Sequence, residues 1–321
     1  MKLFRQIASI LAVVLFYAVT IFFIYRYGTS RLISDHSDSV KIKSVELGAY
    51  LPFDDSSKVA RLDGGVSELL RFDADEAPVI DCAAALYPVI SSYVAATYPE
   101  ETVDYDGSFF TEGSRLQMNN TRDAYKRIVD GRDDVILVAS ASEEQMAYAK
   151  EQGVELVFTP VGKEAFVFIV AGDNPVDSLT VDEIKGIYTN KYFNWAQLGG
   201  KDELIAHFER NNGSGSQTAF LKFMGDTEYI GDYDAYMGSP IGFSYRFYVS
   251  DIMGAGSVKL LAINGIEPNT INIANDTYPI TGNILAVYRS DASEETKELV
   301  EWMLTDEGQE LLEKSGYVSL N

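Results

Sequence analysis

From residue 77 to the C-terminus, short β-branched runs alternate with helical stretches bounded by capping residues and glycines, and no other feature narrows the possible folds as far. Residues 134–139 (DVILVA) read as a buried strand, and 78–81, 154–159 and 165–170 as further strands. Ser142-Glu-Glu-Gln145 and Thr180-Val-Asp-Glu183 are capping boxes that open helices; Gly153 ends the first, and the second runs to about Tyr188. A helix-compatible run reaches Ala96, Thr121 precedes an amphipathic helix ending at Gly131, and residues 293–304 and 305–314 form two last helices before Gly316. Such alternation predicts an α/β fold with mostly parallel sheets, in which ligands sit at the carboxyl ends of strands, facing helix N-termini.

The N-terminus has a different character. Residues 7–24 are uncharged and apolar, preceded by Lys2 and Arg5 and stopped by Arg26. Eighteen residues at ~1.5 Å each span ~27 Å, close to the hydrocarbon thickness of a bilayer. The run is long for a signal peptide, lacks an Ala-x-Ala site, and has no cysteine at its end to accept a lipid. An uncleaved transmembrane anchor fits these features better than a cleaved signal. Either reading places the body on the extracytoplasmic side of the plasma membrane. Residues 1–30 are therefore assigned to this anchor or signal, and the polar segment 31–76 to a stalk or strap.

The 321-residue chain carries 26 basic and 48 acidic residues, a net charge of −22. That balance argues against nucleic acid as a partner, because backbone phosphates are held by basic patches. One cysteine (Cys82) and two histidines (His36, His207) exclude an internal disulfide and zinc-type ligand spacing. No cofactor is called for.

The segment Arg210-Asn-Asn-Gly-Ser-Gly-Ser-Gln217, leading into a helical run, carries the clearest chemistry. Glycines at 213 and 215 allow successive N–H groups to converge as an anion nest at a helix start. Ser214 and Ser216 add hydroxyls, and Arg210 can give a bidentate contact to a tetrahedral oxyanion. On these residues alone, a flexible connector with a surface arginine explains the loop equally well. A P-loop is excluded by the missing G-x-x-x-x-G-K-[ST] spacing, and a nucleophile elbow by the missing G-x-S-x-G. His207 is a weak candidate for a base serving these serines.

This loop resembles the Arg-x-Asp-Gly-Ser-Gly-Thr element of phosphate ABC transporter substrate-binding proteins, the PstS-like family. Further stretches are similar in order: Ile80-Asp-Cys-Ala-Ala-Ala-Leu-Tyr-Pro88, Ile187-Tyr-Thr-Asn-Lys-Tyr-Phe-Asn-Trp195, Pro240-Ile-Gly-Phe-Ser-Tyr245, Tyr278-Pro-Ile280 and Gly316-Tyr-Val-Ser-Leu320. The resemblance implies a two-lobed clam-shell of the type II periplasmic-binding-protein fold. Lobe 1 would comprise residues 77–166 plus 277–321 and lobe 2 residues 167–276, with hinges near 161–169 and 273–281. It also implies a non-enzymatic protein that captures inorganic phosphate, or a related oxyanion, for ABC permease subunits. The ligand residues it implies are Arg210, Ser214, Gly215 and Ser216 in the second lobe, Ala84 and Ala85 in the first loop, and Thr121 at its helix start. Asn212 and Ser140 stand where the family usually has acidic groups, and Ala83 and Ala84 where it has Ser or Thr. Those departures leave a second reading open: a membrane-anchored sensor or interaction module with a degenerate oxyanion pocket.

Overall fold

The computed structural model describes residues 46–232, 238–254 and 258–320, so the apolar run 7–24 lies outside the described residues. Among the described residues no helix is long and apolar enough to cross a membrane. In chain order the elements are β1 (Ile80–Cys82), α1 (Tyr87–Thr97), α2 (Asn120–Val129), β2 (Val135–Val138), α3 (Glu143–Glu151) and β3 (Leu156–Ala171). Then follow β4 (Ser178–Leu179), α4 (Val181–Tyr188), β5 (Ile205–His207), α5 (Gly215–Met224), β6 (Ser239–Tyr245), β7 (Val258–Leu260), β8 (Ala262–Ile263), α6 (Thr270–Ala274), β9 (Thr281–Arg289), α7 (Glu294–Met303) and α8 (Asp306–Lys314). Both capping boxes form, Ser142 with Gln145 at α3 and Thr180 with Glu183 at α4, so these helix starts follow directly from local side-chain chemistry.

Seven strands make one sheet in the order β1-β2-β9-β3-β6-β5, with β7 also on β3. The sheet is mixed, which corrects the mostly parallel expectation. β1 and β2 pair in parallel, as do β5 and β6, but β9 runs antiparallel to both β2 and β3, and β6 and β7 antiparallel to β3. Residues 154–159 and 165–170, expected as two strands, are joined from Leu156 onward in one 16-residue strand, β3. A register shift between Pro160 and Gly162 carries the chain past the proline, which has no N–H to give to the ladder. Gly162 is needed there: a Cβ would lie 2.6 Å from Leu312 Cδ1. The charged pair Lys163-Glu164 does not break the strand. Lys163 reaches Asp276 at 2.8 Å, and Glu164 is buried beside Arg246.

β3 pairs with β9 from Leu156 to Ala165 and with β6 from Phe166 to Val170. Two hydrophobic clusters flank this strand. One gathers α2, α3, β2 and β9 around Tyr125, Ile128, Ile136 and Val287. The other gathers α4, α5, β5 and β6 around Phe168, Tyr188, Phe220 and Phe243, with the Phe220 and Phe243 rings stacked at 4.4 Å. Every residue of α1 is buried. The chain before β1 lies along α1: Ser67 N–H donates to Ala96 O and Phe72 N–H to Thr97 O, and Trp302 of α7 donates to Ser67 Oγ.

Candidate functional site

A cavity of about 320 Å³ is bordered by three helix starts and by the strands between them. At the first, Ala83 N–H is taken by Leu137 O, and a 3₁₀ turn, Ala84–Leu86, leads into α1. The amides of Ala84 and Ala85 meet no acceptor among the described residues. At the second, Asn120 adopts φ 67, a conformation asparagine tolerates, and its Oδ1 accepts from the amides of Arg122 and Asp123. Thr121 N–H meets no acceptor among the described residues. At the third, Ser214 caps α5 by accepting from Gln217 N–H, and the amides of Gly215 and Ser216 meet no acceptor among the described residues. Three helix N-termini thus present spare donors to one volume, a disposition that favours an anion.

Arg210 borders the same cavity. Burial lowers its pKa from the ordinary arginine value, but a guanidinium remains cationic at neutral pH. In a chain with an excess of 22 negative charges, this half-buried cation has no carboxylate partner among the described residues. Its loop is held from behind. Gln217 Oε1 accepts from Arg210 N–H at 2.8 Å, Gln217 Nε2 donates to Glu209 Oε1, and Tyr229 donates to that same oxygen. Gln145 of α3 donates to Gly213 O at 3.1 Å, and Gly213 backs onto the Arg122 side chain. The loop is therefore seated against the starts of α2 and α3.

Glycine at 215 is a steric requirement. A Cβ there would stand 3.1 Å from Thr121 Oγ1 and 3.3 Å from Ala139 Cβ. Gly215→Ala is expected to push these elements apart at a cost of about 1–3 kcal/mol, lowering the unliganded melting temperature by several degrees and anion affinity roughly tenfold. Calorimetry and thermal denaturation of the variant check this.

Of the residues anticipated from the sequence, Ala84, Ala85, Thr121, Arg210, Asn212, Ser214, Gly215 and Ser216 line this cavity. Ser140 does not. Ala139 takes its place on the wall next to Val138, and Ser140, past the end of β2, lines a neighbouring cavity of about 310 Å³. Gly215 and Tyr245 border both cavities, with Tyr245 Oη 3.5 Å from Gly215 O. His207 is buried in β5 with its ring 4.9 Å from that of Tyr188, and it lines neither cavity.

The structure adds wall residues that the sequence does not single out: Asn120, Arg122, Glu164, Tyr248 and Asn283. Glu164 has the most chemical consequence. It is 4% exposed, accepts from the amides of Ala165 and Phe247, and lies 3.5 Å from Arg246 Nε. Burial pushes its pKa up to about 7, against the pull of Arg246. Asp81 acts from outside the cavity. Its Oδ1 accepts from the amides of Cys82 and Asn119, which fastens the first loop to the start of α2. Burial and the nearby Asp133 raise its pKa. Cys82 is fully buried next to it.

Comparison with known proteins agrees with this architecture. Phosphate-binding protein PstS of Bacillus subtilis is 26% identical over 252 residues, covering 74% of this chain and 79% of that protein. The corresponding protein of Borreliella burgdorferi is 20% identical over 266 residues, covering 76% and 86%. Among solved structures, one described as a phosphate ABC transporter substrate-binding protein with bound phosphate, from Clostridium perfringens, superposes with a TM-score of 0.58. Its identity is 22%, over 75% of this chain and 98% of that one. An ABC-type phosphate transport receptor from Vibrio cholerae gives a TM-score of 0.53 at 19% identity, over 74% and 98%. A profile of the PBP superfamily domain matches residues 74–307, and on that match the chain belongs to the PBP superfamily.

Proposed function

We propose that this chain is an extracytoplasmic solute-binding protein that takes phosphate, or a related tetrahedral oxyanion, into the 320 Å³ cavity and presents it to an ABC permease. The observation that carries the reading is Arg210: a half-buried guanidinium without a carboxylate partner among the described residues, beside the spare amides of Ala84, Ala85, Thr121, Gly215 and Ser216. Local dipoles and the Arg210 cation attract the anion where the net field of the protein repels it. The hydroxyls of Thr121 and Ser216 can donate to the remaining oxygens. The names of the relatives, which are phosphate-binding proteins, support the choice of ligand.

The lobes would be the bodies around the two hydrophobic clusters, 77–166 with 277–321 and 167–276, joined where β3 exchanges β9 for β6. Capture would then be a parting of the lobes at that junction and their return to the arrangement in which the Arg210 loop meets the start of α2. Binding without turnover fits the serines: Ser214 Oγ is occupied as a helix cap, and His207 lies off the cavity wall. The apolar run 7–24 with its basic flank supports a tether to the membrane. Isothermal titration of the protein with phosphate tests the reading. Micromolar or tighter binding is expected; silence up to millimolar phosphate would overturn it in favour of a sensor or interaction module.

A further inference from the structure

We infer that the oxyanion site accepts phosphorus oxyanions bearing a short, neutral or cationic organic substituent, such as alkylphosphonates, as well as inorganic phosphate. This rests on the oxyanion reading given above. Three observations carry it.

The first is size. A cavity of about 320 Å³ has room for on the order of ten waters, whereas phosphate has five heavy atoms. The excess does not arise from a loop standing away, because Gln145 already holds Gly213 O at 3.1 Å and Gly215 abuts Thr121.

The second is the chemistry of the walls. The spare amides and Arg210 come from the helix starts, but between them lie the apolar surfaces of Val138, Ile284 and the Tyr245 and Tyr248 rings, beside the polar Ser244 and Asn283, and the side chains of the first loop are only the methyls of Ala83, Ala84 and Ala85. A phosphate oxygen turned toward such surfaces loses hydrogen bonds it had in water; a carbon substituent loses none.

The third is Glu164, a buried carboxylate on the same wall. It disfavours a second negative charge at the end of a substituent and tolerates a methyl or an ammonium group.

The test is calorimetry of the full-length chain in detergent with four probes: inorganic phosphate, ethylphosphonate, 2-aminoethylphosphonate and 3-phosphonopropionate. Ethylphosphonate and 2-aminoethylphosphonate are expected within about tenfold of phosphate or tighter, and the carboxylate-tailed 3-phosphonopropionate at least about tenfold weaker than ethylphosphonate. Ser244→Leu, which adds bulk to the cavity wall, should weaken ethylphosphonate at least about threefold more than it weakens phosphate. Phosphate binding accompanied by a loss of more than about a hundredfold for ethylphosphonate would overturn the inference and leave the oxyanion reading intact. Silence toward all four probes would overturn both.

Discussion

Arg210→Ala is expected to remove oxyanion binding from this protein while leaving the fold in place. A guanidinium held against an anion in a desolvated cavity gives two charge-assisted hydrogen bonds, each worth about 1.5–3 kcal/mol. Their loss amounts to about 3–6 kcal/mol, a weakening of at least roughly a hundredfold. The side chain makes no hydrogen bond to a described residue, and the loop is anchored through Gln217 and Gln145 instead. The unliganded melting temperature should therefore move by no more than about 2 °C, whereas the upward shift that phosphate gives the wild type should vanish. Arg210→Lys should fall between the two, because an ammonium keeps the charge but not the fork. Titration heats like those of the wild type in the alanine variant would remove Arg210 from the site.

The second large effect expected is on pH dependence, through Glu164. Its pKa rises from an ordinary 4.5 to about 7 in the folded chain, chiefly by burial. The folded state thus holds the proton more tightly than the unfolded state. This contribution is fully present below about pH 4.5 and is lost as pH rises through about 7. It amounts to about 3 kcal/mol across that window. Asp81 shifts in the same direction, so the informative quantity is the difference between wild type and Glu164→Gln. Denaturant titrations between pH 4.5 and 8 should show a shallower decline for the glutamine variant. Phosphate affinity should also decline less steeply above pH 7 in that variant, because an ionised carboxylate on the cavity wall repels an anion and glutamine does not. Parallel pH profiles for the two proteins would show that Glu164 stays uncharged or is insulated from the cavity.

What the sequence reveals and what it hides divide along a physical line. The boxes at Ser142 and Thr180, the caps at Ser214, Ser293 and Thr305, and the left-handed Gly153 and Gly316 act within a few residues, so their structures are readable from adjacent letters. The loop 210–216 is legible for the same reason. β3 is not, because Pro160 and Lys163-Glu164 look like an interruption, and only Leu312, Asp276 and Arg246, all distant in the chain, explain how the strand continues. The antiparallel partners of β3 are equally distant. Glu164 reaches the cavity through sheet register, and Ala139 rather than Ser140 reaches it through the path of the chain past the end of β2. Neither leaves a local trace.

The donors at positions 84, 85, 121, 215 and 216 belong to the main chain. A mutation that swaps one side chain for another there keeps the N–H, provided the backbone path survives; only proline subtracts it. Drift toward alanine in the first loop can therefore erase a recognisable motif while the grip on the anion persists, and homologues with dissimilar letters at these positions can still hold the same guest.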